Sequence, residues 1–263
     1  ALTTAAFERL TLETSLRQAL ARDELVLYYQ PQYSLKTGKL IGTEALIRWQ
    51  HPVMGLVVPA KFIPLAEESS LIEQIGEWVL TKACTQMQRW QAAGAELEHI
   101  AVNVSGLQFQ RGDIVATLAK TLKQTGLEPQ LLEIEITEGV IMQKTERSIA
   151  VLDNIKQLGV KIAVDDFGTG DANLVHYSQM DADVIKLDKY FIDKIVSDNC
   201  VPKIVRGLTA FALAMDLEII AAGVEAECQV KVLKELGVQM AQGWYFSKSL
   251  KIESFINFYN ENQ

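Results

Sequence analysis

Short apolar, β-branched runs alternate along this chain with longer stretches whose apolar residues recur at helical spacing. The runs fall at residues 25–30, 41–49, 99–105, 131–137, 160–166, 183–188, 217–223 and 238–246, and each predicts a strand. Helices are predicted around 70–93, 107–125, 144–158, 201–215 and 227–236, several of them closing at a glycine: Gly94, Gly126, Gly159 or Gly237. Strand and helix in alternation make a parallel sheet with crossover helices, and eight strands is the barrel number. The fold class expected is α/β, a (β/α)8 barrel of the TIM type.

One step departs from the repeat. Strands one and two are joined only by PQYSLKTGKL, too short for a parallel crossover and rich in turn formers, so the first strand should run antiparallel to its neighbour. Residues 1–22 read as an amphipathic helix or a linker from a preceding domain, and 23–263 as the barrel. No short-period repeat or low-complexity segment divides the chain.

Composition narrows the chemistry. A length of 263 residues suits one barrel, and 25 Lys and Arg against 33 Asp and Glu leave a net charge of −8, which weighs against DNA or RNA as a partner. No apolar run approaches the roughly 20 residues of a membrane span, and the first ten residues carry both acid and base where a signal peptide would be apolar. A soluble chain is expected. Cys84, Cys200 and Cys228 are odd in number and widely spaced, which argues for a reducing compartment and against a thiolate zinc site. His51, His99 and His176 are too scattered for an imidazole-rich metal centre, so any metal must be held by oxygen.

A barrel places its active site at the C-terminal ends of its strands, and there the apolar alternation is broken by acids and amides. Strand two carries Glu44, strand three Asn103, strand four Glu135, strand five Asp165 and Asp166, strand six Lys186 and strand eight Gln242. In LEIEIT the two-residue period puts Glu133, Glu135 and Thr137 on one face and Ile134 and Ile136 on the other. Burying a carboxylate alone costs several kcal/mol, so one acid or amide per strand on successive strands points to a cation that unites them. Hard oxygens from Glu44, Asn103, Glu135 and Asp165 favour Mg2+ or Mn2+, with Asp166 at a second ion and Lys186 serving phosphate or the attacking water.

Each residue also has a bland reading. Asp165-Asp166-Phe-Gly is equally a strand-to-loop turn, Asn103 a cap for a helix near Gly106, and Lys186 a partner for Asp188. Glu133 alone reads as a solvated or helix-facing acid and is left out of the site.

The motifs EALIRWQHP, GLVVPAKFIPLAEE, NVSGLQF, LEIEITEG, DDFGTG, VIKLDKYFI, GVEAECQ and AQGWYFSKSL, in this order over nearly the whole length, resemble the EAL domains, bacterial phosphodiesterases for cyclic di-GMP. The resemblance implies a modified barrel with one antiparallel strand and hydrolysis of cyclic di-GMP to linear pGpG, with two Mg2+ or Mn2+ ions per site. It implies Glu44, Asn103, Glu135 and Asp165 as ligands, Asp166 at the second ion, and Lys186 positioning the nucleophilic water. Gln30, Leu46, Arg48 and Gln242 then match positions near the nucleotide, and Glu138 the glutamate that steadies the loop after strand five. A homodimer, an upstream sensory or cyclase-like domain, and a cytoplasmic location, with membrane tethering through upstream regions left open, complete what it implies.

Two departures stand out. Where the family reads AEGVE, this chain reads Ala221, Ala222, Gly223, Val224 and Glu225, so Ala222 replaces a glutamate expected to serve as ligand or general base, while the motif's second glutamate is kept at Glu225. Turnover should fall, and a non-hydrolytic cyclic di-GMP receptor is the rival reading. The other departure is Asp171 to Tyr177, where the family has YSSLSYL; it leaves dimerisation open and makes His176 an interface or surface residue, not a ligand. A third reading, an unrelated Mg2+ barrel acting on carboxylated sugars, requires the motif match to be accidental.

Overall fold

The computed structural model describes residues 2–143, 145–168 and 181–262. Its strands are β1 (Leu25–Ser34), β2 (Leu40–His51), β3 (Gly55–Val57), β4 (His99–Asn103), β5 (Leu132–Thr137), β6 (Lys161–Phe167), β7 (Val184–Leu187), β8 (Glu218–Ala222) and β9 (Met240–Gln242). They form one sheet in the order β1-β9-β8-β7-β6-β5-β4-β2-β3, and β1 also pairs with β2, so eight strands close a barrel with β3 as an outlying third strand beside β2. Closure leaves no barrel edge to protect. As the short connection predicts, β1 runs antiparallel, to β2 on one side and to β9 on the other, while the remaining barrel neighbours are parallel.

Helices pack around the barrel where amphipathic spacing predicts them, among them Ile72–Ala92, Glu146–Gln157, Val201–Ala214 and Glu227–Glu235. Gly126 ends its helix in the left-handed conformation at φ 70°, as a C-terminal glycine should. The amino-terminal helix is Leu2–Ala19, with Leu12, Leu16 and Ala19 buried. Between barrel and helices lies the core, in which Trp49 meets Phe62 edge-on at 5.8 Å and Trp90 stacks on Phe255 at 4.6 Å.

Three expectations are corrected. The helix expected over 107–125 is two, Gly106–Gln110 and Ile114–Thr125, because Asp113 accepts from the N–H of Ala116 and starts a new helix. The strand expected over 238–246 spans only Met240–Gln242. The backbone of Val224 presses against Gly243 where a Cβ would sit, and Tyr245 N–H turns to the carbonyl of Val224. Glu133, expected at a solvated or helix-facing position, is buried at 2% exposure, because its face of β5 turns into the lumen. The helices Pro59–Glu68, Lys189–Lys194 and Ile252–Glu261 were not anticipated; the first contains both Pro59 and Pro64, which hide its helical character. No helix among the described residues is long and apolar enough to cross a membrane.

Candidate active site

Strand register brings the polar positions together. Asn103 lies opposite Glu135, Thr137 opposite Asp165, Gln30 opposite Glu44, and both Ala222 and Gln32 opposite Gln242. At the centre stands Lys186 from β7, 2% exposed. Its Nζ is 2.6 Å from Glu135 Oε2, 3.2 Å from Glu44 Oε2 and 3.5 Å from Asp165 Oδ1. Lys186 thus pairs across the lumen with acids from three other strands.

Glu44 is held from three sides. Asn103 Nδ2 donates to its Oε1 at 2.7 Å, while Gln242 Nε2 at 2.7 Å and the Lys186 ammonium reach its Oε2. Burial would raise this carboxyl, but the Lys186 charge and the two amide donors outweigh it and hold the pKa down at about 2. Glu135 goes the other way: burial and then the Glu44 charge push it well above the carboxylate range against the pull of Lys186. Both Glu135 oxygens are buried and accept no well-formed hydrogen bond among the described residues, although Oε2 touches the ammonium. Burial opposes the charge on Lys186, yet Glu135, Glu44 and Asp165 together keep it protonated.

Asp166 is exposed and turns the chain at φ 56°; burial, Asp165 and Asp188 raise its pKa. Asp188, weighed as a partner for Lys186, instead caps the helix Lys189–Lys194. Nor does Asn103 cap the helix at Gly106, for Ser105 does so. Glu138 Oε2 accepts from the N–H of Gly168 at 3.0 Å, where the loop after β6 begins. Gln30 Nε2 donates to the carbonyl of Ser247 at 2.8 Å, and the Arg48 guanidinium lies 5.9 Å from the Tyr28 ring centre. Ala222 ends β8 partly buried beside Gln242, whereas the Glu225 carboxylate is at the surface, 2.8 Å from Lys189 Nζ. His176 and the segment from Asp171 to Tyr177 lie outside the described residues.

A cleft of about 750 Å³ opens beside Glu44 and Asn103, lined by Leu46, Pro59, Ile63, Pro64, Ile75 and Leu107. It combines an apolar wall with an acidic end at Glu44. The side chains fit a hard cation: carboxylate and amide oxygens come from four strands, and buried Glu135 Oε1 accepts no hydrogen bond among the described residues. Among the described residues no three acid, His or Cys side chains are yet gathered closely enough to hold an ion; the ammonium of Lys186 stands among the acids. Sequence reasoning missed Gln32 and His99. Gln32 is fully buried and donates to Gln242 Oε1 at 2.8 Å, and His99 lies 2.5 Å from Gln32 Oε1.

The EAL domain family profile matches residues 13–249. The bifunctional diguanylate cyclase/cyclic di-GMP phosphodiesterase MucR of Pseudomonas aeruginosa is 41% identical over 249 residues, 95% of this chain and 36% of the relative. The cyclic di-GMP phosphodiesterase NbdA of the same organism is 36% identical, covering 96% of this chain and 32% of its own length. This chain therefore spans about a third of these relatives. The solved c-di-GMP complex of the PaMucR phosphodiesterase superposes with a TM-score of 0.90 at 40% identity, covering 93% of this chain and 99% of that one.

Proposed function

This chain belongs to the EAL domain family of cyclic di-GMP signalling, and on that footing we propose that it binds cyclic di-GMP at the barrel mouth and hydrolyses it slowly to linear pGpG. The observation that carries this reading is the buried Lys186 ammonium, drawn among Glu44, Glu135 and Asp165 beside an apolar cleft. Such a cluster is costly to build, and perturbed buried charges of this kind gather at functional sites.

In this reading Glu44, Asn103, Glu135 and Asp165 would hold a divalent ion, and Asp165 and Asp166 would serve a second. When bound, Mg2+ or Mn2+ polarises the phosphoryl group and lowers the pKa of water. Lys186 orients the attacking water through its N–H donors, while Leu46 and Ile63 cover a base and Gln30 and Arg48 face the nucleotide. Water adds its oxygen to phosphorus, the P–O3′ bond breaks, and the water proton ends on the released 3′ oxygen, giving pGpG. Ala222 is the weak point, since a methyl group neither binds a cation nor accepts that proton. That same substitution favours the second reading, a receptor that holds cyclic di-GMP without cleaving it.

Titration calorimetry with cyclic di-GMP, followed by chromatography for pGpG over hours, tests the pair. Binding with slow pGpG release supports the phosphodiesterase, and binding with none supports the receptor. No heat at millimolar nucleotide with Mg2+ defeats both.

A further inference from the structure

We propose that His99 is a positioning residue for the Glu44 carboxylate, acting at a distance through Gln32 and Gln242. The inference rests on the reading of Glu44 as a metal ligand, and it begins from the polarity of a carboxylate. An ionised carboxylate only accepts hydrogen bonds, so Gln242 must turn its NH2 to Glu44 Oε2, 2.7 Å away. Its carbonyl oxygen then faces Gln32, which must present its own NH2, and does so at 2.8 Å. That leaves Gln32 Oε1 facing His99 Nε2 at 2.5 Å, and an acceptor there requires the imidazole to donate. The charge on Glu44 therefore fixes two amide orientations and one tautomer in sequence. Read backwards, His99 with its proton on Nε2 locks Gln32, Gln32 locks Gln242, and Gln242 keeps Glu44 turned toward Asn103 and Lys186.

The barrel is built to allow this reach. In the strand order β9-β1-β2-β4, Gln242 is in register with Gln32, Gln32 with Gly42 and Gly42 with His99. His99 and Gln32 are thus separated by a whole strand. They meet because the residue between them has no side chain: a Cβ on Gly42 would overlap the imidazole ring. Gln32 is fully buried, His99 is 4% exposed and Gln242 7%, so no solvent competes for these bonds. Burial, with the Lys161 charge adding, lowers the His99 pKa to about 4, which keeps the ring neutral and makes its tautomer meaningful.

Two measurements decide the proposal. In 15N-labelled protein, long-range 1H–15N correlation of His99 should show a neutral ring protonated at Nε2; a ring protonated at Nδ1 overturns the relay, whatever the fate of the metal reading. Mn2+ alone is then titrated into the wild type, His99→Leu and His99→Gln. Loss of an outer partner typically costs about 10-fold in metal affinity, so His99→Leu should bind Mn2+ about 10-fold more weakly, while His99→Gln, which replaces the N–H with an amide donor, should recover most of it. Equal Mn2+ affinity in all three proteins overturns the inference and leaves the proposed function standing. A wild type that takes up no Mn2+ defeats the ligand role of Glu44 instead, and the tautomer alone then decides whether the hydrogen-bond chain exists. Should His99→Leu fail to fold, the labelled wild type still gives that answer.

Discussion

Ala222 and Gln242 stand in register across β8 and β9, and Gln242 is the residue whose amide holds Glu44 Oε2 at 2.7 Å. A carboxylate at position 222 would therefore project beside the residue that holds Glu44, the acid that accepts from Asn103, Gln242 and Lys186. Replacing Ala222 by Glu should raise the rate of pGpG release by roughly 10²–10⁴, the contribution of a positioned acid-base group. Parallel initial-rate assays check this, and identical rates would remove position 222 from the chemistry.

Lys186 offsets part of the negative charge of three acids drawn together in the lumen. In Lys186→Met the acids Glu44, Glu135 and Asp165 lose their buried cation, and breaking such a pair costs about 3–5 kcal/mol. Urea denaturation should register that loss, and Mn2+ should restore part of the stability because it supplies the missing positive charge. A variant as stable as the wild type without metal would contradict the ion-pair account.

Glu44→Gln keeps the shape of the side chain and removes its charge. Mn2+ affinity should drop by about 10-fold or more and the melting temperature should fall as well, since an amide at this position turns an NH2 toward a donor where Glu44 accepts from Asn103, Gln242 and Lys186. Calorimetry and thermal melting together check this prediction, and an undiminished affinity excludes Glu44 as a ligand.

Two buried groups in the lumen give opposite pH signatures. His99 has its pKa lowered from 6.5 to about 4 by burial and Lys161, so the unfolded chain binds its proton first and stability is lost as pH falls from 6.5 toward 4. Glu133 has its pKa raised from 4.5 to about 7, mainly by burial, so its contribution is full below 4.5 and is lost as pH rises toward 7. Each is worth about 3 kcal/mol, and in the wild type they nearly cancel. Relative to wild type, stability of His99→Gln should therefore rise from pH 7 to pH 4, and that of Glu133→Gln should fall. Denaturation midpoints measured across this range give the signs directly.

Much of this arrangement is legible in the sequence because the two-residue period of a strand is strict. LEIEIT alone forces Glu135 to one face, and the short link after β1 forces an antiparallel start. Glu133 obeys the same period and was misjudged because a single acid gives no sign that its face closes on other strands. His99 and Gln32 are harder still, lying 67 residues apart with their contact passing over Gly42, a relation set by barrel closure and register. The helix Pro59–Glu68 escaped notice through its prolines, of which Pro59 merely occupies the first turn where no N–H is needed.

The reversed first strand has a mechanical corollary. Because Leu25 pairs with Trp49 and Ser34 with Met240, β1 starts at the rim toward which β2 carries Leu46 and Arg48 and ends at the barrel floor. The helix Leu2–Ala19 consequently feeds into the same rim, and Trp49 Nε1 is tied at 2.9 Å to Glu24 in the linker between them. A torque applied to that helix would be delivered to the strand holding Gln30 and, through its partner, to Leu46 and Arg48, without crossing the body of the protein.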